Sequence, residues 1–430
     1  MKRLLLIPLF AIFAILSFSS CEESGEGTDE PSFVLIHHDP DNPIRIDEGQ
    51  NIELEIGDYV LPAYSEGDEG WSALLYDGKC IVEDPSVALF YMGSLYAIQG
   101  GETSVTAGYK DQEIPFSVTV PKEHSYGTIY FTCVDMARDM PTDDDEGRIP
   151  FSDLLLVNGV ITDKTCNFLS CDSEGNLWQG VTRDGRISLT LNGRELGDNA
   201  SIAFPVPDLH YVTDEKFLQT RHNKLFYFWN NRYTVISADG VETEGTVQGG
   251  IIDMDIDAQG NIYLWTMYFG PNVWIISPDG TSTSHKIGAE RILSGSLDNN
   301  GNDYTLCSYG DNKVGILKNG EALYSFTDVY NPKMVVSESD VWLACYSPEE
   351  APNEAIEVTS WGLYLVKNDE IHQLATHLSG PGNMDVCITK SGVPFILAGD
   401  SSGYFVYKET APVLFIPFIN GDKPQFAVID

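Results

Sequence analysis

The chain has 430 residues, and its 64 Asp and Glu against 25 Lys and Arg give a formal net charge of −39. So acidic a surface excludes nucleic acid as a partner, because phosphate binding needs a basic face. A content of 43% hydrophobic and 11% aromatic residues excludes a wholly disordered chain. The length admits two to three domains, and 39 Gly with 21 Tyr point toward strands and turns.

The chain opens on the basic Met1-Lys2-Arg3, followed by a thirteen-residue run, Leu4 to Leu16, that is apolar apart from Pro8. That run is too short to span a bilayer comfortably and has the length of a signal-peptide core. Ser17-Phe18-Ser19-Ser20-Cys21 follows. This resembles the lipobox of bacterial lipoproteins, where a peptidase cuts before the Cys and its sulfur takes a diacylglycerol; Phe18 stands where Leu is usual. The resemblance implies loss of residues 1–20, a lipid on Cys21 and anchorage in the outer membrane. Removing Lys2 and Arg3, and no acid, leaves a mature charge of −41. Residues 21–30 continue as Glu22-Glu23-Ser24-Gly25-Glu26-Gly27-Thr28-Asp29-Glu30, which has no apolar side chain to bury and reads as a tether. An acidic stretch directly after the Cys resembles the export signal of Bacteroidetes surface lipoproteins, which implies a protein facing the exterior.

Besides Cys21 there are seven cysteines, an odd number that leaves at least one unpaired within the chain. No C-x-x-C and no H-E-x-x-H spacing occurs. Cys166 and Cys171, five apart, would point to opposite faces of one strand. The seven are read as small buried thiols in strands.

From Pro31 the chain shows short alternating runs. Ile52-Glu53-Leu54-Glu55-Ile56 alternates as a half-buried strand does, and Ser104 to Tyr109 and Pro115 to Val120 flank the polar turn Lys110-Asp111-Gln112-Glu113. Asp84-Pro85-Ser86-Val87-Ala88, Leu95-Tyr96-Ala97-Ile98 and Gly100-Gly101-Glu102-Thr103-Ser104-Val105-Thr106-Ala107 resemble, in that order, the second half of a bacterial Ig-like (group 2) domain. The resemblance covers about 90 residues, 31–121, and implies a small β-sandwich with a spacer or adhesive role.

Residues 125–430 repeat. A turn leads into an aliphatic residue and an aromatic that open a strand: Asp172-Ser173-Glu174-Gly175-Asn176-Leu177-Trp178 and Asp257-Ala258-Gln259-Gly260-Asn261-Ile262-Tyr263, with Asp298 to Tyr304 as a third copy. Weaker copies run into Phe226, Trp342 and Phe395. The mean spacing of these aromatics is about 43 residues, the length of a four-stranded propeller blade. At the ends, Phe426-Ala427-Val428-Ile429-Asp430 supplies a first strand and Ser125-Tyr126-Gly127-Thr128-Ile129-Tyr130-Phe131 a turn and second strand. Joined, they make a seventh blade, closed by the C-terminal strand so that no sheet edge is left free. The expected fold is all-β: an Ig-like sandwich, then a propeller of seven four-stranded blades over residues 125–430. The repeat is similar to NHL-like and two-component-regulator-type propeller repeats. The motif aromatics are assigned to packing between blades.

Long loops on one rim of a rigid scaffold are where binding usually resides. The second-to-third strand loops and the inter-blade connections share one face, and two such loops are long: Asp135 to Asp153 in the first blade and Tyr346 to Trp361 in the sixth. That face is expected to carry Trp265, Tyr268, Phe269, Tyr309, Tyr330, Tyr346, Trp361 and His377 as ligand contacts, since aromatic faces stack on sugars. Asp143, Asp144, Asp145 and Glu146 are candidate Ca²⁺ ligands, with no cofactor otherwise indicated. Gly399-Asp400-Ser401-Ser402-Gly403 matches G-x-S-x-G, but that motif works on a strand-to-helix turn, and here it joins two strands of a hairpin. No catalytic constellation is recognisable. The chain therefore reads as a non-enzymatic surface lipoprotein binding a glycan, or serving an outer-membrane nutrient transporter of the TonB-dependent kind. The alternatives are a propeller glycosidase or lyase using rim carboxylates, and a purely adhesive or structural protein.

Overall fold

The fold is that of a computed structural model, which describes residues 32–37, 43–65, 71–74, 78–91, 93–122, 126–134, 154–166, 168–183, 186–196, 202–203, 218–267, 269–338, 340–349, 360–399, 403–417 and 422–430. The chain divides into two units, residues 1–123 and 124–430. Both are built of strands, and no helix occurs among the described residues.

The first unit is a two-sheet sandwich. One sheet holds Ser32–Ile36, Ile44–Arg45, Tyr59–Ser65, Ser72–Ala73, Ala88–Tyr91 and Ser94–Ala97; the other holds Asn51–Glu53, Gly78–Val82, Gly101–Tyr109 and Gln112–Val120. Alternation decides what goes inside. Thr103, Val105 and Ala107 on one arm of the Lys110 hairpin, and Phe116, Val118 and Val120 on the other, are buried in the core with Phe33, Leu35 and Leu95. The strand expected over Ile52–Ile56 stops at Glu53. Its alternation continues through Leu54, but Asp58 N–H donates to the Glu55 carbonyl and Asp58 Oδ2 accepts the Glu55 N–H, so a turn takes over.

The second unit is a propeller of seven antiparallel sheets. Blade 1 comprises Asp422–Ile429, Thr128–Val134, Leu154–Val157 and Val160–Thr165 from the inside outward, and blade 2 Phe168–Cys171, Leu177–Arg183, Arg186–Leu191 and Arg194–Glu195. Blade 3 runs Leu218–Arg221, Lys224–Trp229, Arg232–Ser237 and Gly240–Thr246; blade 4 runs Gly250–Ile256, Ile262–Met267, Pro271–Ile276 and Ser282–Lys286. Blade 5 is Arg291–Leu297, Asp303–Ser308, Val314–Lys318 and Glu321–Phe326, and blade 6 is Tyr330–Ser337, Asp340–Pro348, Trp361–Lys367 and Glu370–Leu378. Blade 7 is Met384–Ile388, Pro394–Gly399, Gly403–Lys408 and Ala411–Pro417. The closure is as the joined ends require: Thr128 pairs with Ile429 and Phe131 with Phe426, and Phe426, Ala427 and Val428 are buried. Strands Pro394–Gly399 and Gly403–Lys408 pair antiparallel, so the G-x-S-x-G segment joins two arms of a hairpin.

The repeated turn has a physical cause. In each good copy the Asp carboxylate caps its own turn: Asp257 Oδ1 accepts the Gln259 and Asn261 N–H groups at 2.9 and 2.8 Å, and the Asn261 amide donates back to Asp257 Oδ2 at 2.8 Å. Asp172 and Asp298 repeat this with Asn176 and Asn302. The Gly of each copy lies at φ of +79°, +84° or +78°, which a side chain disfavours. A second clamp recurs one hairpin outward. Asn158, Asn192, Asn319 and Asn368, all at positive φ, accept a backbone N–H from the head of the second strand and donate their own N–H back to that strand.

The six motif aromatics Trp178, Phe226, Tyr263, Tyr304, Trp342 and Phe395 are all buried. Polar side chains stitch neighbouring inner strands. Gln425 Oε1 accepts the Leu169 N–H at 2.7 Å from blade 1 to blade 2, and Ser170 and Thr220 hydroxyls meet at 2.6 Å from blade 2 to blade 3. Asp253 and Asp255 of blade 4 accept the Gly295 and Leu297 N–H groups of blade 5 at 2.8 and 2.9 Å.

Candidate functional site

The seven inner strands enclose a channel of about 1240 Å³, to which every blade contributes wall residues. Two of its carboxylates, Asp253 and Asp255, are tied to blade 5. The Asp255 carboxylate is fully buried; besides Leu297 it accepts the Ile256 N–H at 2.8 Å and faces Arg221 Nε at 3.6 Å and His222 Nε2 at 3.8 Å. Two backbone donors thus fix this carboxylate in place, with the guanidinium and imidazole beside it.

The channel mouth where the inner strands of blades 5, 6 and 7 begin has a different character. Tyr330 lines it, with Asn312, Asn331 and Asn383 around the ring and Glu290 and Arg291 beside them. Asn312 Nδ2 donates to the Tyr330 hydroxyl at 2.6 Å, and the Tyr330 and Trp361 rings meet nearly at right angles at 4.7 Å between centroids. Asn331 Nδ2 donates to the Gly382 carbonyl at 2.9 Å, and the Asn383 amide reaches the Tyr404 hydroxyl at 3.3 Å. Asn312 and Asn331 lie at φ of +56° and +46°, so turn geometry fixes where their exposed amides sit. An aromatic residue and exposed amides on one channel lining, with one acid and one guanidinium at hand, can pair with ligands rich in hydroxyl groups.

The residues expected on the rim separate into three groups. Trp265 is a correction. Its indole is 0% exposed between blades 4 and 5, donates Nε1–H to Thr305 Oγ1 at 2.8 Å, and lies so close over Gly295 that a Cβ there would come within 2.0 Å of the ring. Tyr346 and Trp361 are corrected likewise. Both are buried between blades 6 and 7, and Tyr346 donates its hydroxyl proton to the Gly399 carbonyl at 2.9 Å. Tyr330 and the loop bearing Tyr309 reach the channel mouth, the latter through Ser308 and Gly310 to Asn312. Tyr309 is half docked: its ring covers Gly315, and burial, aided by the Cys307 thiol, pushes its hydroxyl pKa up to about 12. Phe269 and His377 lie outside the channel lining, with Phe269 91% exposed at φ +48°. Tyr268, Asp143, Asp144, Asp145, Glu146 and Cys21 lie outside the described residues. Among the described residues no cluster of three or more His, Cys, Asp or Glu is placed to hold a metal ion.

One arrangement on the rim of blade 6 has the composition of a catalytic triad. Glu349 accepts bonds from the Ser360 hydroxyl and from the His377 N–H at 3.0 Å. His377 Nδ1 lies 3.1 Å from Glu349 and 3.2 Å from Ser360 Oγ. Hydroxyl and carboxylate thus converge on one ring nitrogen, whereas a relay needs the base to use one nitrogen for each. The Ser360 hydroxyl, then His377, hold the Glu349 carboxyl below the usual carboxylate range, so this is a loop clamp built on an ionised Glu.

No family model and no curated protein matches the chain. Solved structures similar to it include a Lactobacillus plantarum protein at 10% identity and TM-score 0.43, covering 70% of this chain and 99% of that one. A protein of unknown function from Bacteroides caccae matches at 12% identity and TM-score 0.35, covering 71% and 99%. A quinonprotein alcohol dehydrogenase-like protein from Bacteroides thetaiotaomicron matches at 12% and 0.37, covering 88% and 96%.

Proposed function

We propose that this is a lipid-anchored lipoprotein of the outer membrane, facing the exterior, whose propeller is a non-enzymatic binding module for a glycan. The observation that carries the reading is the mouth at blades 5 to 7, where Tyr330, bonded to Asn312, shares the channel lining with the exposed Asn331 and Asn383. Planar amides donate and accept in fixed directions, which suits paired sugar hydroxyls, while a ring face covers the apolar side of a pyranose. The lipobox around Cys21 and the acidic tether support the address. On this reading residues 31–121, with their resemblance to bacterial Ig-like domains, are a spacer, and the propeller is of the NHL-like kind found in Bacteroidetes surface proteins.

The test is calorimetric titration of the mature chain against a panel of host and plant glycans, with product analysis of the same mixtures. Saturable binding without new reducing ends or unsaturated products is expected, and Tyr330→Ala should weaken it roughly tenfold or more, since a stacked ring is worth about 1–3 kcal/mol at comparable sites. Glycan cleavage, or no binding across the panel, overturns the reading. Cys21→Ala should abolish labelling by a fatty-acid analogue and release the protein from membranes.

A further inference from the structure

Two cysteines at the propeller closure stand apart from the other five. Cys171 ends the inner strand of blade 2, and Cys387 lies in the inner strand of blade 7. Blade 1, whose inner strand is the C-terminal segment Asp422–Ile429, sits between them, and the inner strands of both neighbours pack against it. Side-chain alternation points each cysteine toward that segment. In blade 2, Phe168 packs toward blade 3 while Leu169 and Cys171 pack toward blade 1 with Ala427 and Ile429. In blade 7, Met384, Val386 and Ile388 pack toward blade 6, which sends Asp385 and Cys387 the other way. Both cysteines line the channel. Among its neighbours, after burial itself, Cys171 is the group that most raises the Cys387 thiol. Neither is in a disulfide in this structure.

We propose that Cys171 and Cys387 are a redox pair that closes to a disulfide across the channel-side edge of the C-terminal strand, tying blade 7 to blade 2 over the ring closure. The oxidant is a small disulfide of the glutathione class. The Cys171 thiolate attacks it, forming a mixed disulfide and releasing one glutathione thiolate. The Cys387 thiolate then attacks the Cys171 sulfur and releases the second. Two protein thiols give up two electrons, and their two protons end on the two glutathione thiols. The order follows from the surroundings. Burial, with Cys171 and Asp385 adding to it, raises the Cys387 thiol well above the ordinary range, so Cys387 is suited to the second, intramolecular attack, where proximity offsets its low thiolate fraction. The bond would enclose most of the propeller in one covalent loop and oppose peeling of the closing strand. The chemistry is independent of the proposed export; only its occurrence in the cell rests on that reading, because an oxidising compartment is needed.

The full chain is reduced, freed of reductant, incubated with glutathione disulfide, blocked with iodoacetamide and digested without reduction. A peptide pair joined through Cys171 and Cys387 is the expected product. Oxidised protein should melt several degrees above reduced protein, and Cys387→Ser and Cys171→Ser should each abolish that difference. The idea is overturned if both cysteines of the wild type emerge alkylated, if glutathione adducts persist unresolved, or if either cysteine is found joined to a different one. Peptide mapping of the wild type decides the matter even where a variant folds poorly. Because purified protein is used, a failure here leaves the Cys21 labelling result untouched, and the converse.

Discussion

Replacing Trp265 with Ala tests the assignment of this residue to the core. The indole fills the space between blades 4 and 5 with Val273, Ile292 and Cys307 around it, and its Nε1–H satisfies the fully buried Thr305 hydroxyl. Removing an aromatic of this size from a packed interior costs about 3–5 kcal/mol in lost burial and residual cavity. The Thr305 hydroxyl loses its partner as well, at about 1–3 kcal/mol. A loss of at least about 4 kcal/mol follows, and at about 2 °C per kcal/mol for a unit of this size the midpoint falls by about 8 °C. Urea unfolding followed by near-ultraviolet circular dichroism gives the free energy, and scanning calorimetry the midpoint. Trp265→Phe separates the two contributions, since it keeps most of the volume and removes only the donor. Phe269→Ala, four residues on at an exposed turn, should move the midpoint by less than about 1 °C, in keeping with surface substitutions. The reasoning is refuted if Trp265→Ala melts like the wild type while losing ligand.

Other perturbations follow from the same geometry. Deleting residues 426–430 strips blade 1 of the buried Phe426 and Val428, worth about 3–6 kcal/mol of side-chain burial, and bares a sheet edge, so light scattering should report aggregation on mild heating. His285 of blade 4 faces Asp303 of blade 5 at 3.6 Å, and this partner, against the opposing effect of burial, raises the histidine's folded pKa above its ordinary 6.5. A raised pKa means that the stabilisation is fully present below pH 6.5 and is lost as the pH climbs through the folded value. Melting curves from pH 5.5 to 8.5 should therefore converge for wild type and His285→Gln at the alkaline end; a difference that widens with pH would contradict the pairing. Asn319→Ala removes the clamp on the head of strand Asp303–Ser308 and should cost about 1 kcal/mol by urea midpoint, with Asn319→Asp costing less because its oxygen still accepts the Asp303 N–H.

Much of the architecture was legible in the chain because it rests on local rules. The Asp and Gly of the repeated turn, the aromatic behind it and the spacing between copies are all set within one hairpin, and Phe426 to Asp430 could be matched to Thr128 to Phe131 because each is half of a unit seen complete elsewhere. The rim was less legible for a reason specific to propellers. Alternation separates inside from outside only when one face of a sheet meets water, and here each blade packs on both faces. Ile262, Tyr263, Leu264, Trp265 and Thr266 are buried in succession, so nothing in the pattern marks Trp265 as core and Phe269 as surface. Tyr346 and Trp361 were misplaced in the same way. The asparagines at the channel mouth carried a signal, since Asp311-Asn312 and Tyr330-Asn331 are turn chemistry, but turns are so frequent in this chain that the signal singled out none of them.

The residue order by itself determined that the chain is all-β, that a sandwich precedes a seven-bladed ring, and that the ring closes by pairing its two ends, because turn chemistry and strand periodicity act over a few residues. Tertiary structure alone decided which aromatics are core, that Asp253 and Asp255 are fastened to blade 5, and that Cys171 and Cys387 line the channel on the two strands that flank the closing one. Each of those facts joins residues of different blades, and the side-chain directions that bring them together exist only once the ring has formed.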